Sequence, residues 1–257
     1  FLSVVPVVLI GVAIWFVISY FFNTQMIQTA THSRPLERRE NMRVYNLTEN
    51  LCMSVGMPMP KLYIIESDAL NAFASGINQK TFAVTLTRGI INTLNDDELE
   101  GVIAHELTHI RNRDVRLLII TIVFVGIFAT IANIAFRTML NSQLYSSRNR
   151  RNEKGGGGAV VLVVLLVAGV VYFLSILFKL ALSRSREYMA DAGAVEMTHK
   201  SLALANALKK ISGHSTIEGV NNDEVKELFI DYKAEGFFAM FATHPPIRKR
   251  IQVLEQF

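Results

Sequence analysis

Three stretches of this 257-residue chain, Phe1–Phe22, Leu117–Phe136 and Ala159–Phe178, each run for about 20 residues without a formal charge. At 1.5 Å per residue each spans about 30 Å, the hydrocarbon thickness of a bilayer. A chain this short does not easily bury three helices that are apolar all round, so the pattern predicts membrane helices. The second run is the least uniform, because it carries Asn133, Thr121, Gly126 and Thr130. Elsewhere the pattern is amphipathic. Asn95–Arg113 has Leu99, Val102, Ile103, Leu107 and Ile110 on one helical stripe, with Asn95 as N-cap and acidic residues in the first turn. Lys61–Glu66 and Thr81–Thr87 are rich in β-branched and aromatic residues and read as short strands. Between them, "SDALNAFASG" reads as another strand or an exposed sheet edge. Helices are expected within Pro35–Met53, Arg88–Leu94, Arg184–Val195, Ser201–Ser212 and Ile247–Glu255. Gly155–Gly158 lacks a following G-K-[ST] and reads as a flexible linker.

This predicts an α+β, mainly helical fold in four segments. Residues 1–22 are a membrane helix and 23–114 the first extramembrane part. Residues 115–182 form a membrane hairpin with a basic, glycine-rich loop, and 183–257 are the second extramembrane part. Composition agrees: 51% hydrophobic residues and a mean hydropathy of +0.31 are high for a soluble protein. The net charge of +4 does not indicate nucleic acid. Its basic residues cluster beside the apolar runs, where anchoring to anionic lipid explains them more simply. A single cysteine, Cys52, excludes an internal disulfide and agrees with a reducing compartment. Phe1–Phe22 is too long for a cleaved signal peptide and lacks a small-residue cleavage site.

The chemistry lies in "VIAHELTHIRNRD", Val102–Asp114. On a helix, His105 and His109 share a face and can both reach one zinc ion at about 2.0–2.1 Å. Glu106 is one step round, placed to take a proton from a water that the metal acidifies. A catalytic zinc usually has a third protein ligand. His32, His199, His214 and His244 lie in less favourable contexts than "SRSREYMADAGA", where Glu187 and Asp191 share a helix face. One carboxylate can bind zinc while the other accepts the free N–H of a zinc histidine. A membrane hairpin would return this segment to His109, which favours Glu187 as the ligand.

"HELTHIRNRD", "REYMADAGA", "FATHPPIRKRI" and "LNAFASG" together resemble the HtpX-type membrane zinc metalloproteases of bacteria, relatives of the CAAX-prenyl and mitochondrial stress proteases. The resemblance covers the chain from about Pro35 to its end. It implies a gluzincin fold with one zinc ion per chain, held by His105, His109 and Glu187, with Glu106 as general base and Asp191 supporting a ligand. Asn71, Ala72 and Phe73 would border the sheet edge that takes an extended substrate. His244 and Arg250 fall where the family has a His-Pro and an arginine near the active site, an expected source of oxyanion stabilisation. Such proteins usually have two membrane segments ahead of the catalytic domain. Here one is seen, so either another lies upstream of Phe1 or the count differs.

The resemblance implies cleavage of misfolded or damaged membrane proteins, or of unfolded polypeptides, at the bacterial inner membrane. A processing protease with a defined substrate and a non-catalytic zinc scaffold are the alternatives, and Glu106 argues against the scaffold. Arginines from Arg34 to Arg116 place the zinc site in the cytoplasm. The loop carrying Arg148, Arg150, Arg151 and Lys154 pulls the other way, and must yield if both hairpin segments span.

Overall fold

The computed structural model describes residues 24–114, 185–217 and 245–257, together with Ile14, Val17, Ile18, Phe22 and Gly169. Apart from those isolated positions, the three apolar runs lie outside the described residues. Among the described residues no helix is long and apolar enough to cross a membrane. The chain divides into two compact units, Phe1–Tyr20 with Ile120–Lys179 and Phe21–Ile119 with Leu180–Phe257. The second unit contains every element below.

Helix α1 is described over residues 24–31. A two-residue strand β1 (Arg34–Pro35) follows, then α2 (Met42–Ser54), β2 (Lys61–Ile65), β3 (Ala72–Ser75), β4 (Ala83–Thr87), α3 (Arg88–Thr93) and α4 (Asp96–Arg111). Later in the chain come α5, described over residues 185–198, α6 (Ser201–Ile211) and α7 (Ile247–Leu254). The expected helix within Pro35–Met53 starts only at Met42. Pro35 is taken by pairing with Tyr63, and the Asn41 side chain accepts from the Val44 N–H to cap α2.

The sheet order is β1-β2-β4-β3. The central β2–β4 pair is parallel, from Lys61 opposite Ala83 to Ile65 opposite Thr87. β1 and β3 pair antiparallel at the two edges. All of β4, and all of β2 but Lys61, is buried. Burial on both faces explains why these strands read as apolar runs rather than as an alternation.

Helix α4 fills the space between the sheet and α6. Its start carries a capping box: Asn95 accepts from the Glu98 N–H, and the Glu98 side chain accepts from the Asn95 N–H. Asp96, Asp97 and Glu98 then complement the positive end of the helix dipole. Leu99, Val102, Ile103 and Leu107 are fully buried, as are Leu204, Leu208 and Ile211 of α6. Gly101 lets the two helices close up, since a Cβ there would meet the Leu204 backbone and side chain at 3.3 Å. The helix that carries the chemistry is therefore also the central packing element.

A four-member ion network fastens β1 to β2 and α3. Arg34 donates to Glu40 and Glu66, and Arg88 donates to the same two carboxylates. The two guanidinium groups hold the Glu40 carboxyl down at about 2. A depressed carboxyl contributes stability above its unfolded value near 4.5, and that stability is lost as pH falls towards 2. Glu40→Gln is therefore expected to lower the melting temperature modestly at pH 7 and not at all near pH 2. Thermal melts at the two pH values check this; an equal loss at both would mean that shape rather than charge matters.

Candidate metal centre

The i,i+4 spacing on α4 brings His105 and His109 together with ring centroids 4.7 Å apart and planes nearly perpendicular. Their Nε2 atoms lie 3.1 Å apart. From α5, the Glu187 carboxylate comes within 3.6 Å of His105 Nε2 and 3.4 Å of His109 Nε2. These three residues are a group whose ligand atoms all lie within 4.8 Å of one another. Ligand bonds of about 2.05 Å at a tetrahedral angle require donor atoms about 3.3 Å apart. The three measured separations bracket that edge, and the donors are two imidazoles and a carboxylate, a set suited to zinc. The residues fit the ion.

Each histidine has an acid behind it. Asp191 Oδ1 lies 3.0 Å from His105 Nδ1. Asp114 Oδ2 lies 3.1 Å from His109 Nδ1. An Nδ1–H donated backwards leaves the Nε2 lone pair facing the ligand group. Arg250, from α7, is buried at 1% exposure and reaches Glu187 and Asp191 of α5. Its Nε and Nη2 donate to Asp191 at 2.9 and 2.7 Å, and Nη1 lies 3.0 Å from Glu187. Glu106 is buried beside the two imidazoles.

The environment sets the charges. Burial raises the Glu106 carboxyl above its usual range, against the pull of His105 and His109. Burial opposes charge on His109, but hydrogen bonds to Asp114 and Glu187 outweigh it and raise the imidazole above its usual range. Burial likewise opposes charge on Asp191, yet Arg250 and His105 hold it at about 2.

The remaining expected residues are placed as follows. Ala72 and Phe73 lie on the edge strand β3, with Asn71 just before it, but all three are buried rather than exposed. The Asn71 side chain donates to the Ser215 carbonyl and accepts from the Ala72 N–H. Phe73 packs on Ile65 and Ile217, with Ile27 and Ala30 of α1 against the same cluster. His244 lies outside the described residues. Asp114 was missed from the sequence, although it stands within the quoted motif. Five residues beyond His109, it is off the helix face that spacing arguments examine.

The approach of α5 to α4 depends on Gly193. A Cβ there would meet Thr108 Cγ2 at 2.5 Å, and Thr108 is buried with its hydroxyl bonded to the Ala104 carbonyl. Gly193→Ala is expected to cost roughly 1–3 kcal/mol by overpacking. It should also weaken zinc binding by pushing Glu187 away from the histidines. Melting and metal titration of the variant test this, and unchanged values in both would refute the close-packing account.

A helix with two convergent histidines and a buried glutamate, joined by a carboxylate from a second helix beside a small mixed sheet, defines a zinc metallopeptidase. The sequence comparisons agree. Residues 38–257 match the model of peptidase family M48, and the chain belongs to that family. It is 56% identical to a "Protease HtpX homolog" of Bacteroides fragilis, an alignment covering all of this chain and 81% of that protein. It is 40% identical to a protein of the same name from Listeria innocua, over 95% of this chain and 83% of the relative. The crystal structure of S. mikatae Ste24p superposes with a TM-score of 0.55 at 19% identity, covering 97% of this chain and 58% of that one. The fold is thus Ste24-like, and the protein is a membrane zinc metalloprotease.

Proposed function

We propose that the protein is a multi-pass endopeptidase of the bacterial inner membrane that cleaves misfolded or damaged membrane proteins from the cytoplasmic side. The observation that carries the reading is the convergence of His105, His109 and Glu187 beside a buried Glu106. His105, His109 and Glu187 would hold one zinc ion. Zinc bound there supplies a Lewis acid for the scissile carbonyl and acidifies the attacking water. Glu106 takes a proton from that water as it attacks the carbonyl carbon, then delivers a proton to the departing amine nitrogen. Burial, which raises the Glu106 carboxyl, suits it to carry that proton between the two steps.

Asp191 holds His105, and Arg250 holds Asp191 and Glu187 together. Its Nε and Nη2 on Asp191 and its Nη1 beside Glu187 support a role for Arg250 in holding the ligand residues. Substrate is read as an extended segment added along β3, with Asn71, Ala72 and Phe73 shaping that edge. Phe1–Phe22 and a hairpin built from Leu117–Phe136 and Ala159–Phe178 are read as the membrane anchor.

The test uses full-length zinc-loaded protein in vesicles, offered a membrane protein in folded and in destabilised form. Preferential cleavage of the destabilised form is expected. Cleavage at one site regardless of folding would favour a processing protease. Topology is tested in a Cys52-free background with single cysteines at Ser67, Ser147 and Ser212, the first and last of them partly exposed. Ser147 is expected to react with an impermeant reagent in intact cells, and the other two only after permeabilisation. Protection of Ser147 in intact cells would refute a spanning hairpin.

A further inference from the structure

We infer that Asp114 and Arg186 are positioning residues for the second metal histidine, a device that mirrors the Asp191–Arg250 pair behind the first. The inference rests on the reading of His109 as a zinc ligand. Asp114 uses its two oxygens for two different partners. Oδ2 lies 3.1 Å from His109 Nδ1, and Oδ1 lies 3.4 Å from Arg186 Nε. The side chains are only 14%, 14% and 20% exposed for Asp114, His109 and Arg186, so water screens this chain of contacts poorly. The first histidine has the same arrangement: His105 Nδ1 on Asp191, and Asp191 on Arg250. Each ligand imidazole is thus backed by a carboxylate, and each carboxylate by a guanidinium.

The backbone near Asp114 is shaped for this. Helix α4 ends at Arg111, and Arg113 adopts the left-handed conformation with φ 62°. That conformation is uncommon for a residue with a side chain and costs of order 1 kcal/mol. It turns the chain so that Asp114 reaches back to His109 rather than continuing round the helix. Arg186 immediately precedes Glu187, so the same contact fixes this turn of α5 against the end of α4. One carboxylate therefore orients the second ligand and registers the third.

The test measures zinc affinity by chelator competition on the full-length protein, with the visible spectrum of the cobalt-substituted protein as a second readout. Asp114→Asn keeps the size and removes the charge. It is expected to weaken zinc binding by about 10–100-fold, the range for a residue that orients a metal histidine, and to shift the cobalt bands. Asp114→Glu should recover most of the affinity. Arg186→Gln, at the more exposed end of the chain of contacts, should cause a smaller loss in the same direction, and it keeps the test open if Asp114→Asn does not fold. Wild-type zinc affinity in Asp114→Asn overturns the proposal alone. Equal losses in Asp114→Asn and Asp114→Glu, with Arg186→Gln unaffected, also overturn it. A wild-type protein that binds no zinc overturns the metal-site reading, and this proposal with it.

Discussion

Glu106→Gln is expected to bind zinc like the parent protein and to lose peptide cleavage by about 10²–10⁴-fold. Gln keeps the shape and polarity of the side chain but cannot accept a proton. The candidate ligands, His105, His109 and Glu187, are untouched. Folding should survive as well, because Glu106 is buried and burial already disfavours its charge. A neutral isostere removes that penalty, so the variant should melt no lower than the parent. The measurements are zinc per chain, melting temperature and turnover of an unfolded substrate on the same preparation. Parent-like cleavage by a correctly loaded Glu106→Gln protein would falsify the general-base assignment.

Glu187→Ala is expected to have the opposite signature, with zinc and activity falling together. Removing the carboxylate leaves two imidazoles, one donor short of the usual three. It also deprives the buried Arg250 of one of the two carboxylates it meets among the described residues. Leaving a buried charge only partly compensated is destabilising in itself, so the melting temperature should drop too. Glu187→Gln should lie between, since an amide oxygen is a weaker ligand but still accepts from Arg250. Full zinc stoichiometry in Glu187→Ala would send the search for a third ligand to His199 and His214, or to His244. Added zinc should partly restore activity in Glu187→Gln and not in Glu106→Gln, which separates lost binding from lost chemistry in one assay.

The sequence was sufficient wherever the determining forces are local. Helix α4 was expected at Asn95–Arg113 and is found at Asp96–Arg111, because its cap, acidic first turn and apolar stripe all act within a few residues. The pairing of His105 with His109 follows from helix geometry alone, and β2 was legible from its β-branched run. Sheet order was not legible. The parallel β2–β4 pairing skips β3, and such pairing is decided by which faces can be buried together. "LNAFASG", read as another strand or an exposed sheet edge, is the edge strand β3, and burial packs it under Ile217 and α1.

The site divides in the same way. Motif spacing pointed to two histidines, a base and an acidic pair on a second helix. That the acidic pair belongs with the histidines depended on a long-range return of the chain, which only the packing of α5 on α4 through Gly193 displays. Arg250 was placed near the site by resemblance, but its role depends on where a buried guanidinium finds partners. Those partners, Asp191 and Glu187, are about 60 residues away along the chain. Asp114 closes the quoted motif and still gave no signal. Its contact with His109 exists because Arg113 takes a left-handed turn, and the protein accepts that local cost in exchange for contacts that exist only in the assembled fold.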